Sequence, residues 1–131
     1  MLNEILQYSW IDGHSLCARR GGKEGVMYLP KPFQEFKSQY PEVANLYEEL
    51  GVKCQSAGPL DSKTRYLVNL GIAVGAVSPG AVKSHARKAL ETGASREELY
   101  HALLLALTTV GFPAMIAAIG WVDEVLAAEG Q

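Results

Sequence analysis

Ser95-Arg96-Glu97-Glu98-Leu99-Tyr100-His101-Ala102-Leu103-Leu104-Leu105-Ala106-Leu107-Thr108-Thr109-Val110-Gly111-Phe112-Pro113 is the stretch on which the fold turns. Ser95 followed by Glu98 is a capping box, because serine at N-cap and glutamate at N3 each satisfy the other's exposed amide. Leu99, Leu103, Ala106 and Val110 share one helical face, while Leu104, Leu105 and Leu107 cover the other sides. A helix apolar on nearly every side is a buried one. In a chain of 131 residues such burial implies that one face meets another subunit. The same holds for the helix that follows Gly111-Phe112-Pro113, with Ile116, Ile119, Trp121, Val122 and Leu126.

Outward from this stretch, residues 1–26 have only weak periodicity, the segments beyond them read as helices, and none alternates like a strand. Pro32 stands in a first helical turn and Pro41 repeats the device before Val43, Leu46, Tyr47 and Leu50, with an end near Ala57-Gly58-Pro59. Asp61 caps a helix carrying Tyr66, Leu67, Leu70, Ile72 and Val74, which Gly75 weakens. Ser78 caps and Pro79 opens the next, with Val82, Ala86, Ala89 and Leu90 as one stripe and Gly93 as its left-handed stop. The expected fold is all-α, a bundle of about six helices, with residues 27–131 as the helical domain and residues 1–26 as a glycine-rich basic arm.

Composition bounds the function. The length fits one domain. A net charge of −2 and no Lys/Arg run argue against nucleic acid. Residues 102–119 could mimic a membrane span, but Gly111-Phe112-Pro113 interrupts them, and a span needs roughly 20 continuous apolar residues. No membrane association is expected. The N-terminus lacks a signal-like basic start and apolar run, and Cys17 and Cys54 form no metal or dithiol pattern, which points to a reduced, cytoplasmic setting. Cys54 reads as a packed thiol.

His85 is the candidate centre of chemistry. At about 100° per residue it lies some 60° from Val82, at the edge of the buried stripe. The helix N-terminus together with Lys83, Arg87 and Lys88 disfavours imidazolium and lowers its pKa. A neutral imidazole near pH 7 can accept a proton. On the preceding helix Arg65, Tyr66 and Asn69 can meet it, giving base, hydroxyl donor and guanidinium clamp in one pocket. The alternative is structural: a hydrogen-bonded His85, Arg65 paired with Asp61, Tyr66 packed at the rim and Asn69 bonded to backbone. Lys83, Arg87, Lys88 and Glu91 read as a solvated face. His14 and His101 share no site with His85, so no metal triad can be built.

The pattern Leu60-Asp61-Ser62-Lys63-Thr64-Arg65, an apolar helix, residues 85–99 from His85-Ala86-Arg87 to Glu97-Glu98-Leu99, then Gly111-Phe112-Pro113-Ala114, resembles the carboxymuconolactone decarboxylase family. The resemblance spans roughly residues 40–127. Within that AhpD-like superfamily, the alkyl hydroperoxide reductase D-like branch carries a Glu, a Cys-x-x-Cys and a His as a dithiol relay. Aligned on His85, Ser78 and Ala81 occupy the cysteine positions and Tyr66 the glutamate position. Dithiol peroxidase chemistry is therefore not expected, because attacking and resolving sulfurs are both missing. The chain looks closer to the cysteine-free branch, whose members keep an arginine about where Arg65 stands and this histidine. The resemblance implies cofactor-free decarboxylation of a small cyclic acid or lactone, with Arg65 on a carboxylate, His85 moving the proton and Tyr66 assisting. It also implies a homo-oligomer, trimer or hexamer, acting on a small anionic molecule. Two other possibilities are a diverged thiol-redox protein and a non-catalytic helical module.

Overall fold

The computed structural model describes residues 31–130, and in them there are six α-helices and no strand. The expected all-α class is met. The basic arm over residues 1–26, the start of the domain at residue 27, His14 and Cys17 lie outside the described residues. The chain divides between Pro59 and Leu60 into two compact units. That division falls where Ala57-Gly58-Pro59 was expected to stop a helix.

In the first unit, α1 (Lys31–Gln39) and α2 (Pro41–Ser56) pack on each other. Pro41 sits at the first helical position of α2, where its missing N–H costs no intrahelical bond. Lys37 donates to Glu48 at 2.5 Å, tying the two helices. Val43, Leu46, Tyr47 and Leu50, spaced as one helical stripe, are exposed.

The second unit contains α3 (Ser62–Gly75), α4 (Pro79–Glu91), α5 (Arg96–Val110) and α6 (Phe112–Ala128). Neighbours run α3, α4, α6, α5 and back to α3. Leu70 and Val74, Val82 and Ala86, Leu99 and Leu103, and Val122 and Val125 fill the centre, one pair from each helix, all 1% exposed or less. Alanines at 86, 89 and 118 let α4 and α6 approach closely. Polar ties close the outside: Lys63 to Glu98 joins α3 to α5, Lys83 to Glu124 joins α4 to α6, and Tyr100 to Asp123 joins α5 to α6. A Cβ built on Gly75 would lie 3.7 Å from Val110 Cγ1, so α3 and α5 run side by side in the same direction from Lys63 and Glu98 to their ends.

Helix boundaries follow local chemistry. Asp61 accepts from the Thr64 N–H at 2.8 Å, and Ser95 and Glu98 form the reciprocal box at 3.2 and 2.8 Å. α4 ends in a Schellman turn: the Gly93 N–H reaches Leu90 O and the Ala94 N–H reaches Ala89 O, with Gly93 at φ +93°. α3 ends in the same turn, Val77 N–H to Val74 O and Ser78 N–H to Ala73 O, but with valine at φ +49°. Gly75 is the last residue of α3, where the helix was expected to weaken. Gly111 at φ +90° separates α5 from α6 in a single residue, because the proline behind it cannot extend α5.

The expectation that α5 is buried all round meets a different outcome within one chain. Leu99 and Leu103 are buried, whereas Leu104 and Leu105 are 56% and 67% exposed. With only four helices in its unit, α5 has neighbours on one side alone. Val68, Ile72, Phe112 and Ile116 are also outward-facing.

Candidate functional site

α3 and α4 pack against each other, and this places the candidate residues along one helix pair. Ser78 accepts from the Ala81 N–H at 3.4 Å and Pro79 opens α4, so His85 falls in the second turn. Val82, Ala86 and Ala89 are the buried stripe of that helix, and His85 borders it, half-buried. Its Nδ1 is sealed from solvent and has no hydrogen-bond partner. Burial, with a smaller contribution from the nearby Lys88 ammonium, pushes the imidazole pKa down to about 4. The ring is therefore neutral at pH 7. The direction agrees with expectation, but the main cause is loss of water rather than the helix end, and the charge involved is that of Lys88. Lys83 instead pairs with Glu124 of α6.

Tyr66, in the second turn of α3, packs half-buried against the core. Burial raises its phenol pKa, Arg65 lowers it and Glu91 raises it, so the hydroxyl stays protonated and able to donate. Arg65 directs Nη2 to Ser62 Oγ at 2.9 Å, back along its own helix. The Asp61 carboxylate accepts from the Thr64 N–H and hydroxyl at 2.8 and 3.1 Å.

Lys88 is the residue that the sequence argument misplaced. It was assigned to a solvated face, yet it is half-buried, with Nζ 5.9 Å from the centre of the Tyr66 ring. Burial pushes its ammonium pKa down to about 8, partly offset by Glu91. A cation over a tyrosine face is held by the ring's negative quadrupole. Lys88 thus bridges the two helices, in contact range of the Tyr66 ring and electrostatically coupled to His85. The available signal was spacing: positions 85 and 88 are neighbours on one helical face.

The remaining candidates are solvent-facing. His101 is exposed on α5, and Cys54 is a free, exposed thiol near the end of α2 rather than a packed one, because the last turns of α2 are mostly solvent-facing. Among the described residues no cluster of three or more His, Cys, Asp or Glu could hold a metal, and no helix is long and apolar enough to cross a membrane.

Chemically, the α3/α4 pair combines a neutral imidazole with an unbonded ring nitrogen, a protonated phenol, an ammonium and a guanidinium. Proton acceptance, hydrogen-bond donation and anion attraction are all available there.

Comparison with known proteins places the fold in a family. A crystal structure of a carboxymuconolactone decarboxylase family protein from Legionella pneumophila superposes with a TM-score of 0.65 at 26% identity, covering 72% of this chain and 84% of that one. An uncharacterized protein of Haemophilus influenzae is 35% identical over 67 residues, which is 51% of this chain. The match spans about three fifths, 59%, of that relative's length. Residues 41–124 match the carboxymuconolactone decarboxylase family itself, well over half of the sequence. The chain belongs to the carboxymuconolactone decarboxylase family.

Proposed function

We propose that this protein is a cofactor-free acid/base catalyst that decarboxylates a small cyclic carboxylic acid or lactone at the α3/α4 pair, with His85, Tyr66 and Arg65 as its working residues. The observation that carries this is the buried, unbonded Nδ1 of His85 on a ring held neutral. A structural histidine spends its ring nitrogens on hydrogen bonds, because an unsatisfied buried acceptor costs about 1–3 kcal/mol. Such a cost persists most readily where a ligand repays it.

In the proposed reaction the bond from the ring carbon to the carboxylate breaks and CO2 leaves. Its electron pair passes into the conjugated lactone, and one solvent-derived proton reaches that carbon by way of His85. Tyr66, kept protonated, donates a hydrogen bond to the oxygen that gains charge. Arg65 turns from Ser62 to hold a carboxylate in register. The soft outward leucines of α5 support assembly of several chains, a trimer or hexamer, around this centre.

The test is CO2 release from a carboxymuconolactone by the purified full chain. The wild type is expected to release CO2, and His85→Ala to lose at least a hundredfold in rate while keeping its helical circular dichroism. Equal rates in both would remove His85 from the chemistry. A thiol-redox role would instead show as peroxide consumption with a dithiol donor that Cys54→Ala abolishes.

A further inference from the structure

We propose that the exposed stripe of α2 docks on the outward α3–α5 face of a second copy of this chain, head to tail. The inference deepens the assembly proposed above and rests on it, while the chemistry at His85 is separate.

The docking helix is the first support. Of all the residues in α1 and α2, Ala44 alone is buried. Helical stability in proteins comes mainly from packing an apolar face, and two helices with so little interior supply almost none of it to each other. Val43, Leu46, Tyr47 and Leu50 are such a face, 55–67% exposed, at the i, i+3, i+4, i+7 spacing by which a helix seats on an apolar surface.

The receiving face is the second. Residues 102–120, which include the exposed leucines of α5, contain no charged side chain. Glu98 reaches Lys63 of α3, and Leu105, seven residues on, projects within about 20° of the same direction. It therefore lies on the flank of α5 that borders α3, whose Val68 and Ile72 are also exposed. Between those two, a Cβ built on Gly71 would meet nothing within 4 Å, so the α3 backbone is open to an incoming side chain.

Stoichiometry and size name the occupant. Each chain carries one docking stripe and one receiving face, in different units, so copies supply the two halves in equal numbers. A contact between unlike patches is heterologous, and such contacts close into rings. At these exposures the two faces with their flanking residues bury on the order of 1,000 Å2, the size at which a specific interface begins, and a copy in a ring makes the contact twice. A polyanion or a charged peptide would find no counter-charge on residues 102–120.

The test mixes two surface variants of the full chain, Leu46→Glu and Leu105→Glu, in sedimentation velocity. The wild type is expected as a multimer and each variant, folded by circular dichroism, as a monomer. Mixed at high micromolar concentration, the variants should recombine into a 1:1 dimer of twice the monomer mass. The Leu105→Glu chain keeps an intact α2 stripe, and the Leu46→Glu chain keeps an intact α3–α5 face. A chain carrying both substitutions should stay monomeric and join neither variant. Val43→Glu and Ile72→Glu stand in for a variant that does not fold. Folded variants that remain monomeric when mixed, or either one keeping the wild-type multimer, overturn the docking and leave the assembly standing. A wild type that sediments as a monomer overturns both.

Discussion

Lys63 and Glu98 meet at 2.8 Å across α3 and α5, and the same Glu98 carboxylate accepts the Ser95 N–H at 2.8 Å. One side chain therefore starts a helix and fastens it to its neighbour. The Lys63 ammonium, followed by the Ser95 amide, holds the Glu98 carboxyl below its ordinary value of 4.5. A carboxylate with a lowered folded-state pKa contributes stability that is present above the unfolded value and lost as pH falls through the folded one. Glu98→Gln, which keeps an oxygen for the cap but loses the charge, should melt below the wild type at pH 7. The gap should close beneath pH 4.5. Thermal melts of both proteins from pH 7 to pH 3 check this, and a gap that is constant across the range would separate Glu98 from the acid response. Ser95→Ala, which removes only the cap, should cost about 1 kcal/mol at any of these pH values.

His85 gives a second pH dependence, in a different window. Its folded pKa of about 4 lies below the ordinary 6.5, so the unfolded chain binds the proton first as the solution is acidified. The stability linked to the neutral ring is complete above pH 6.5 and drains between there and pH 4. Because the ring is only half-buried and solvent screens it, the linked stability is on the order of 1 kcal/mol. In His85→Asn that segment of the stability curve should flatten. Urea unfolding at pH 7, 6, 5 and 4.5 measures it, and parallel curves for the two proteins would contradict a buried neutral imidazole.

The fold was legible from local chemistry, residue by residue. Asp61, Ser78, Ser95 and Pro41 announce helix starts because capping and proline effects need only three or four neighbouring residues, and the structure places helices after each. Gly93 announces a stop for the same reason. The site was legible only in part. His85 could be placed at the edge of a stripe from periodicity, whereas the burial of Lys88 depends on Tyr66 arriving from another helix, which no spacing along α4 records. Val77 gave no signal at all, since a β-branched residue is the last choice for a left-handed turn.

That turn leads to a stabilising substitution. Val77 occupies at φ +49° the position that Gly93 occupies at +93° in the equivalent turn of α4. A left-handed conformation costs an L-residue roughly 1–2 kcal/mol, and Val77 is 57% exposed, so little packing is lost with its side chain. Val77→Gly should therefore raise stability by about 1 kcal/mol, after the greater chain entropy of glycine is subtracted. The urea midpoint is the readout. A lower midpoint would show that Val77's side chain contributes contacts worth more than its backbone strain.

Leu103 and Leu105 lie two residues apart on α5, one fully buried and the other 67% exposed. Leu103→Ala opens a cavity in the buried core and should cost about 3 kcal/mol, whatever the assembly state. Leu105→Glu removes little from the interior of one chain, so its effect depends on what covers that face. If chains assemble through the outward leucines, a carboxylate at 105 is trapped at an apolar contact. The wild type should then sediment as a multimer and Leu105→Glu as a smaller species with its helices intact. Sedimentation velocity on the two proteins decides the matter. An unchanged multimer would place the interface elsewhere, on the exposed stripe of Val43, Leu46, Tyr47 and Leu50 in α2, where Leu46→Glu should then dissociate it.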